Sequence, residues 1–452
     1  MRLRKTITTI VATAILLAGW QLFAVIANQP ELIPSLPRLV RTLCEWLVSG
    51  SFYQSVGATI LRGILGMSIS FVCAIGMAGL FARFEWVYEL FRPLLAIMRS
   101  IPVISFILLA LIFLNPESIP LMIAFLTMFP LLTENLTRGI LDLRPGLSIM
   151  ARQFHIKRSN VLFQIIYPQV KPFLYSGLPS AAGFGWRAII MGEVLSQCAF
   201  GIGSEMKRAQ NFIAVPELLA WTIVAVFISF FFDKGISKVA DITPKISFAN
   251  EDQTIPTPTL SVLDTKDISY QYGIQHFSHS FQKGIIYGIS APSGKGKTTL
   301  LNLIGGILLP TEGEIHPTRH FGIATIFQQP QLLPHLTAEE NIILPLSSFL
   351  TEEKARRIAQ KHLQEMEMEP FGNRYPKELS YGQQQRIAIA RALAYPSPLL
   401  LMDEPFKGLD EALSHRIIER IREKQMKEER IILFTSHNPD EIRLLADEVI
   451  YL

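Results

Sequence analysis

The stretch Ala291-Pro-Ser-Gly-Lys-Gly-Lys297-Thr298-Thr299 stands between the apolar run 285–289 and a helical pattern, and its reading decides the fold of the C-terminal half. A glycine-rich turn from a strand into a helix aims backbone N–H groups at a polyphosphate. Ser293, Gly294, Lys295, Gly296 and Thr299 belong to that cradle, Lys297 reaches the β- and γ-phosphates, and the Thr298 hydroxyl suits Mg²⁺. Alone, the loop predicts only a nucleotide.

Working outward, the chain continues with Gln328 in Ile326-Phe-Gln-Gln-Pro-Gln-Leu-Leu-Pro334, then Leu379-Ser-Tyr-Gly-Gln383, Leu399-Leu-Leu-Met-Asp403-Glu404, Lys407-Gly-Leu-Asp410 and Ser436-His437. From Thr259 onward short β-type runs alternate with helical ones, which predicts an α/β domain on a largely parallel sheet. Asp403, at the end of an apolar strand, is placed to hold the metal through water. Ser380, Gly382 and Gln383 open a helix, so hydroxyl, backbone N–H groups and the positive dipole end can grip a γ-phosphate.

Upstream the composition changes. Of 452 residues, 49% are apolar and 18% charged, too greasy for an ordinary soluble protein. Residues 1–240 carry 20 Lys/Arg against 11 Asp/Glu; residues 241–452 carry 22 against 27. The basic half is thus the hydrophobic half, which fits cytoplasmic loops of a membrane domain and excludes a nucleic-acid surface. Apolar segments of spanning length recur at 7–27, 57–82, 94–114, 119–136, 173–195 and 218–232, about six helices, with Ser100-Ile-Pro102 breaking the third. The first suits an anchor better than a cleaved signal. Residues 35–47 read as an amphipathic helix on the outer membrane surface. Arg2, Arg4 and Lys5, and the basic connection 137–172, both lie on the cytoplasmic side, so an even number of crossings returns the C-terminal domain there. Residues 241–258 read as a polar, proline-bearing tether. Cys44, Cys73 and Cys198 have no paired spacing and read as free, buried, inert thiols.

With these motifs in this order, residues 259–452 resemble the nucleotide-binding domain of ATP-binding-cassette (ABC) transporters. The resemblance implies that Glu404 is the general base for the attacking water, that His437 contacts the γ-phosphate, and that Gln328 reaches metal and water while sensing the membrane domain. It also implies ATP and Mg²⁺ as ligands, with Thr298, Gln328 and Asp403 at the metal. Asp410 would cross to a second ATP site, and Tyr272 would stack on adenine, with Tyr270 competing. In the family Ser380, Gly382 and Gln383 hold the ATP of an opposite domain, so two chains must pair as a homodimer. Two residues depart from the pattern. Ala291 stands at a usual glycine, which costs about 1–2 kcal/mol if φ must be positive, and Tyr381 at another, putting a ring beside the γ-phosphate grip.

In the basic connection, Leu147-Ser-Ile-Met-Ala151-Arg-Gln-Phe-His155 and Ile166-Tyr-Pro168 resemble the coupling loop of ABC importer permeases, with Ile149 at the usual Glu and His155 at the usual Gly. Leu32-Ile-Pro-Ser-Leu-Pro37, Arg99-Ser-Ile-Pro102 and Gly185-Trp-Arg-Ala188 with Gly192-Glu-Val-Leu195 resemble permeases of the nitrate/sulfonate/taurine family. The expected fold is therefore an all-α polytopic membrane domain (1–240), the tether (241–258) and an α/β P-loop NTPase (259–452). The expected function is ATP-driven import of a small polar or anionic solute, at the cytoplasmic membrane, with an extracytoplasmic solute-binding protein and surrounding lipid as partners and no nucleic acid. An exporter half, or a membrane module with a degenerate ATPase, stays open. Arg187 and Glu193 lie inside the fifth apolar segment, where Arg187 either attracts an anionic solute or makes a structural pair with Glu134 or another helix's carboxylate, or a headgroup contact at the helix end.

Overall fold

The computed structural model describes residues 2–240, 244–253, 260–271, 273–292, 294–317 and 322–452. The chain divides into two compact units, Met1–Leu143 with Gln169–Thr243, and Arg144–Pro168 with Pro244–Leu452.

The first unit holds α1 (Arg2–Ala27), α2 (Leu36–Trp46), α3 (Gly50–Arg83), α4 (Glu85–Ser100), α5 (Val103–Phe113), α6 (Ile119–Leu141), α9 (Tyr167–Ser196), α10 (Ile202–Asn211) and α11 (Val215–Ala240). All six expected spans are helical, but unequally. Gly50–Arg83, Pro116–Leu141 and Val215–Gly235 are long and apolar enough to cross a membrane. α4 and α5 make a fourth only as a pair bent by 94°, because Pro102 removes a donor and pushes Ile101 out of the helical region (φ −71°, ψ 129°). Val11–Ala27 is a shorter apolar helix, and α9, which carries Lys171, Arg187 and Glu193, is not among the candidate spans. The helix expected at 35–47 is α2, opened by Pro37 in its first turn. Cys198 is buried as expected; Cys44 and Cys73 are exposed instead, on outward faces of α2 and α3.

α3 packs on α6 through small residues. Gly66, Ser70 and Ala74 are buried, and a Cβ on Gly66 would come within 2.8 Å of the Ala124 Cβ, while Gly63 faces Trp186 of α9. Leu61, Ile64, Ile69 and Val72 face outward, as lipid-facing helices require. Of the two charges in the fifth apolar segment, Glu193 is paired within the unit. Glu193, fully buried, takes Arg62 Nη1 at 2.7 Å, Thr59 Oγ1 at 2.9 Å and the Gly203 N–H at 2.9 Å. Arg62 Nη2 meets Glu117 at 2.7 Å. The expected Glu134 partnership goes elsewhere, to Arg99 and Arg138. Arg187 instead shares a cavity lining with Asp233.

The second unit begins with α7 (Pro145–Gln153), the short α8 (Arg158–Asn160) and a π-helical run Val161–Ile166. It continues through β1 (Val262–Tyr270), β2 (Ile274–Gln282), β3 (Ile286–Ser290), α12 (Lys297–Ile304), β4 (Glu312–His316), β5 (Ala324–Ile326), α13 (Ala338–Leu346), α14 (Glu352–Glu365), α15 (Tyr381–Ala394), β6 (Leu399–Asp403), α16 (Glu411–Glu428), β7 (Ile431–Thr435), α17 (Pro439–Leu445) and β8 (Glu448–Tyr451). An antiparallel sheet runs β2-β1-β4, and a parallel one β5-β6-β7-β3-β8. β6 and β7 are buried at every position, giving the unbroken apolar runs of a sheet covered on both faces. Part of the expected tether is packed rather than free: Pro244–Gln253 lie along this unit, with the Ala249 N–H on Ser347 O at 3.0 Å and the Gln253 N–H on Phe349 O at 2.8 Å.

Candidate active site

β6, β7 and β3 are neighbours in the parallel sheet, so the loops at their carboxyl ends converge on one crevice, where ligands of such sheets bind. The phosphate loop follows β3, Asp403 ends β6 with Glu404 next, and Ser436-His437 follow β7. Register sets Asp403 directly across from Thr435.

The loop is shaped by glycines. Gly294 and Gly296 adopt φ +82° and +92°, and a Cβ on Gly296 would meet the Gly273 carbonyl at 2.6 Å. Ala291 does not take a positive φ, so the strain anticipated there does not arise. Lys297 Nζ arches over the turn to Ala291 O at 2.7 Å. α12 starts at Lys297, so the first-turn N–H groups through Thr299 lack intrahelical partners, and Lys295 lies on the rim. Ser293 and Tyr272 fall outside the described residues; Tyr270, the competitor, ends β1 and packs its ring partly against the core.

Thr298 Oγ1 donates to Asp403 at 3.0 Å, and Thr435 Oγ1 donates to the same carboxylate at 2.8 Å. Burial pushes the Asp403 carboxyl up; the two hydroxyls and Lys297 oppose it, while Glu404 adds to it. A hydroxyl beside a buried carboxylate is a hard-oxygen pair suited to Mg²⁺. With a donor-rich loop next to it, the residues present fit a magnesium–triphosphate.

Glu404 sits at φ +49°, a left-handed conformation that costs a side-chain-bearing residue about 1–2 kcal/mol. Its N–H donates to Thr435 Oγ1 at 3.1 Å. Lys407 Nζ and His437 Nε2 approach its two oxygens at 3.2 Å each. Partial burial works against the Glu404 charge, but Lys407, Gln328 and His437 together hold its carboxyl below the usual range. Glu404, His437 and Gln328 are thus brought together, with Lys407 as a member the sequence did not single out.

Ser380 is the N-cap of α15 in a reciprocal box. Its Oγ accepts from Gln383 N at 3.3 Å and its N–H donates to Gln383 Oε1 at 2.8 Å. The Tyr381 ring turns toward Gly408, where an added Cβ would come within 2.7 Å of it, and its hydroxyl donates to Gln328 O at 2.8 Å. The tyrosine therefore ties three motif segments together. Gly382 is required because a Cβ would meet Gly408 O at 2.6 Å. Asp410 caps α16 through Leu413 N at 2.8 Å.

The second unit also holds the loop read as a coupling segment. Phe154, fully buried, stacks edge-on to Tyr395 at 5.2 Å under the Arg391 guanidinium at 5.4 Å. Arg391 in turn donates to Gln331 O and Pro330 O, both at 2.8 Å, just beyond Gln328. Gln153 bonds Gly305 O at 2.7 Å. His155 takes φ +47°, which explains why glycine suits that position. Sequence reasoning missed Phe154, Arg391 and Gln153, since their partners lie far along the chain.

Residues 274–407 match the family model described as ABC transporter, and residues 56–233 match the binding-protein-dependent transport system inner membrane component. Among curated relatives, the chain is 35% identical over 189 residues to the Fe(3+) ions import ATP-binding protein of Rhizobium etli, covering 40% of this chain and 54% of that one. It is 34% identical to an uncharacterized ABC transporter ATP-binding protein of Methanocaldococcus jannaschii, covering 40% of this chain and 85% of that one. It is also 34% identical to the thiamine import ATP-binding protein of Yersinia pseudotuberculosis, covering 42% and 86%. The chain thus spans about half the length of the iron-import relative and most of the other two. With a helical apolar unit matching a permease component joined to an α/β unit matching its ATPase, the chain belongs to the ABC transporter family.

Proposed function

We propose that this chain is a fused permease and ATPase that hydrolyses ATP to import a small polar or anionic solute across the cytoplasmic membrane. It works as a homodimer served by an extracytoplasmic solute-binding protein. Two of the relatives are named for import, and the passages at 32–37, 99–102 and 185–195 favour the nitrate/sulfonate/taurine type of solute. The observation that carries the reading is the packing of 144–168, a segment continuous with α6 and α9, into the unit that holds the nucleotide crevice.

Each residue then has a task. Lys297 and the loop N–H groups bind the β- and γ-phosphates, trading the Ala291 carbonyl for the anion. Thr298, Asp403 and Gln328 would hold Mg²⁺, which offsets phosphate charge when bound. Glu404, kept ionised by Lys407, Gln328 and His437, orients water and accepts its proton. Ser380, exposed, and Gly382 and Gln383, half-buried, at the start of α15 close the site of the second copy, to which Asp410 contributes. A two-fold pair satisfies both sites at once.

The test is phosphate release from MgATP by the full chain in proteoliposomes, beside Glu404→Gln. The proposal expects turnover in the wild type and a loss of about 10²–10⁴-fold in the variant, with ATP binding retained. Equal inactivity of both would establish a degenerate ATPase.

A further inference from the structure

In the second unit three segments distant in sequence meet at Asn160, which is 1% exposed. Its Oδ1 accepts from Ser247 N at 2.8 Å. Its Nδ2 donates to Ser247 O at 2.8 Å and to Ser347 Oγ at 2.8 Å. One side-chain amide therefore reads both backbone groups of a residue between the two domains and joins them to the end of α13. Around this joint, Gln164 donates to Pro244 O at 2.9 Å, and the Lys157 N–H donates to Ser348 Oγ at 2.9 Å. Ile246 and Phe248 pack on the core that contains Phe154, Leu346 and Leu350. Asp252 Oδ1 accepts from Thr351 N at 2.9 Å and Thr351 Oγ1 at 3.0 Å.

We propose that residues 244–253 form a strap that fastens the coupling segment to the ATPase of its own chain, so that in a pair each ATPase drives the permease half it is fused to. The inference rests on the proposed function for its meaning but not for its test. A flexible tether would leave the ATPase able to dock on the coupling segment of either copy. Here the linker itself is a component of the joint: without Ser247, Asn160 would be buried with two of its three hydrogen bonds unmade. Only three residues connect Ala240 to Pro244, at about 3.3–3.6 Å each, which leaves little slack to reach a second copy. An asparagine is required because the site needs donor and acceptor on one planar group; aspartate would set a carboxylate against the Ser247 carbonyl.

The test is disulfide cross-linking of the full chain carrying Lys157→Cys with Ser348→Cys, products mapped by mass spectrometry because Cys44 and Cys73 are exposed. The strap predicts an intrachain disulfide between the two substituted positions, with no covalent dimer when the two substitutions are placed on separate, co-expressed copies. An interchain link overturns the proposal, as does the absence of the intrachain link. Hydrogen exchange gives the second arm. Amides of Ser247, Ala249 and Gln253 are protected in the wild type and exchange about tenfold faster in Asn160→Asp, while β7 is unchanged. Exchange of 244–253 as free chain in the wild type contradicts the strap. Neither arm reads ATP turnover, so an inactive ATPase with an intrachain link would sink the function and spare the strap.

Discussion

β6 and β7 of the ATPase unit hide every side chain between covering helices, whereas α3 of the membrane unit turns Leu61, Ile64, Ile69 and Val72 outward and hides Gly63, Gly66 and Ser70. Water drives the first arrangement: apolar area removed from it contributes about 25 cal/mol per Å². Lipid offers no such gain, so the second depends on close approach of small residues and on polar pairs. The comparison teaches where each unit is vulnerable. The ATPase should tolerate change at its rim and fail at its anion grip; the membrane unit should fail at its few charges.

The largest expected effect is therefore in the membrane unit. Glu193→Ala leaves Arg62 with Glu117 and the Phe200 carbonyl but without its buried partner, a loss of about 3–5 kcal/mol. Its unfolding in detergent should shift by that amount, while Glu193→Gln, which keeps the hydrogen bonds, shifts less. Equal, small shifts would break the comparison. Next, Lys297→Ala removes the arching ammonium and should lower ATP turnover about 10²–10³-fold with the melting transition unchanged.

A smaller effect is set by pH. Burial, with Lys424, Lys361 and Arg430 nearby, holds His362 down to about 3, against an ordinary value near 6.5. A histidine kept neutral in the fold lets the unfolded chain take up the proton first. Stability is therefore full above pH 6.5 and falls below it, by about 1.4 kcal/mol at pH 5.5. His362→Gln should flatten that slope in a thermal-melt series between pH 7 and 5.5. Least of all, Tyr381→Phe loses one half-exposed hydrogen bond to Gln328 O, about 0.5–1.5 kcal/mol, read as a few-fold change in turnover.

The nucleotide crevice was legible because gripping phosphate takes consecutive backbone N–H groups, and consecutive groups leave a contiguous motif: Gly294 to Thr299, Ser380 to Gln383, Asp403-Glu404. The parallel sheet followed from the same runs. What the sequence hid is long-range. Thr435 reaches Glu404 across 31 residues, Asn160 reaches Ser247 across 87, and Arg62 reaches Glu193 across 131. No local spacing encodes such pairs. Other points only the fold decides: Ala291 needs no positive φ, and the Tyr381 ring packs toward Gly408, beside Gly382. The break at Pro102 was visible, but not that it bends two helices through 94°.

Everything in the proposed cycle depends on two copies completing each other's nucleotide sites. The direct test is the particle mass of the full chain in detergent with MgATP, measured on the fractions that release phosphate. The account predicts turnover only in particles of two chains, trapped as such by Glu404→Gln; single chains that cleave ATP at the full rate would contradict it.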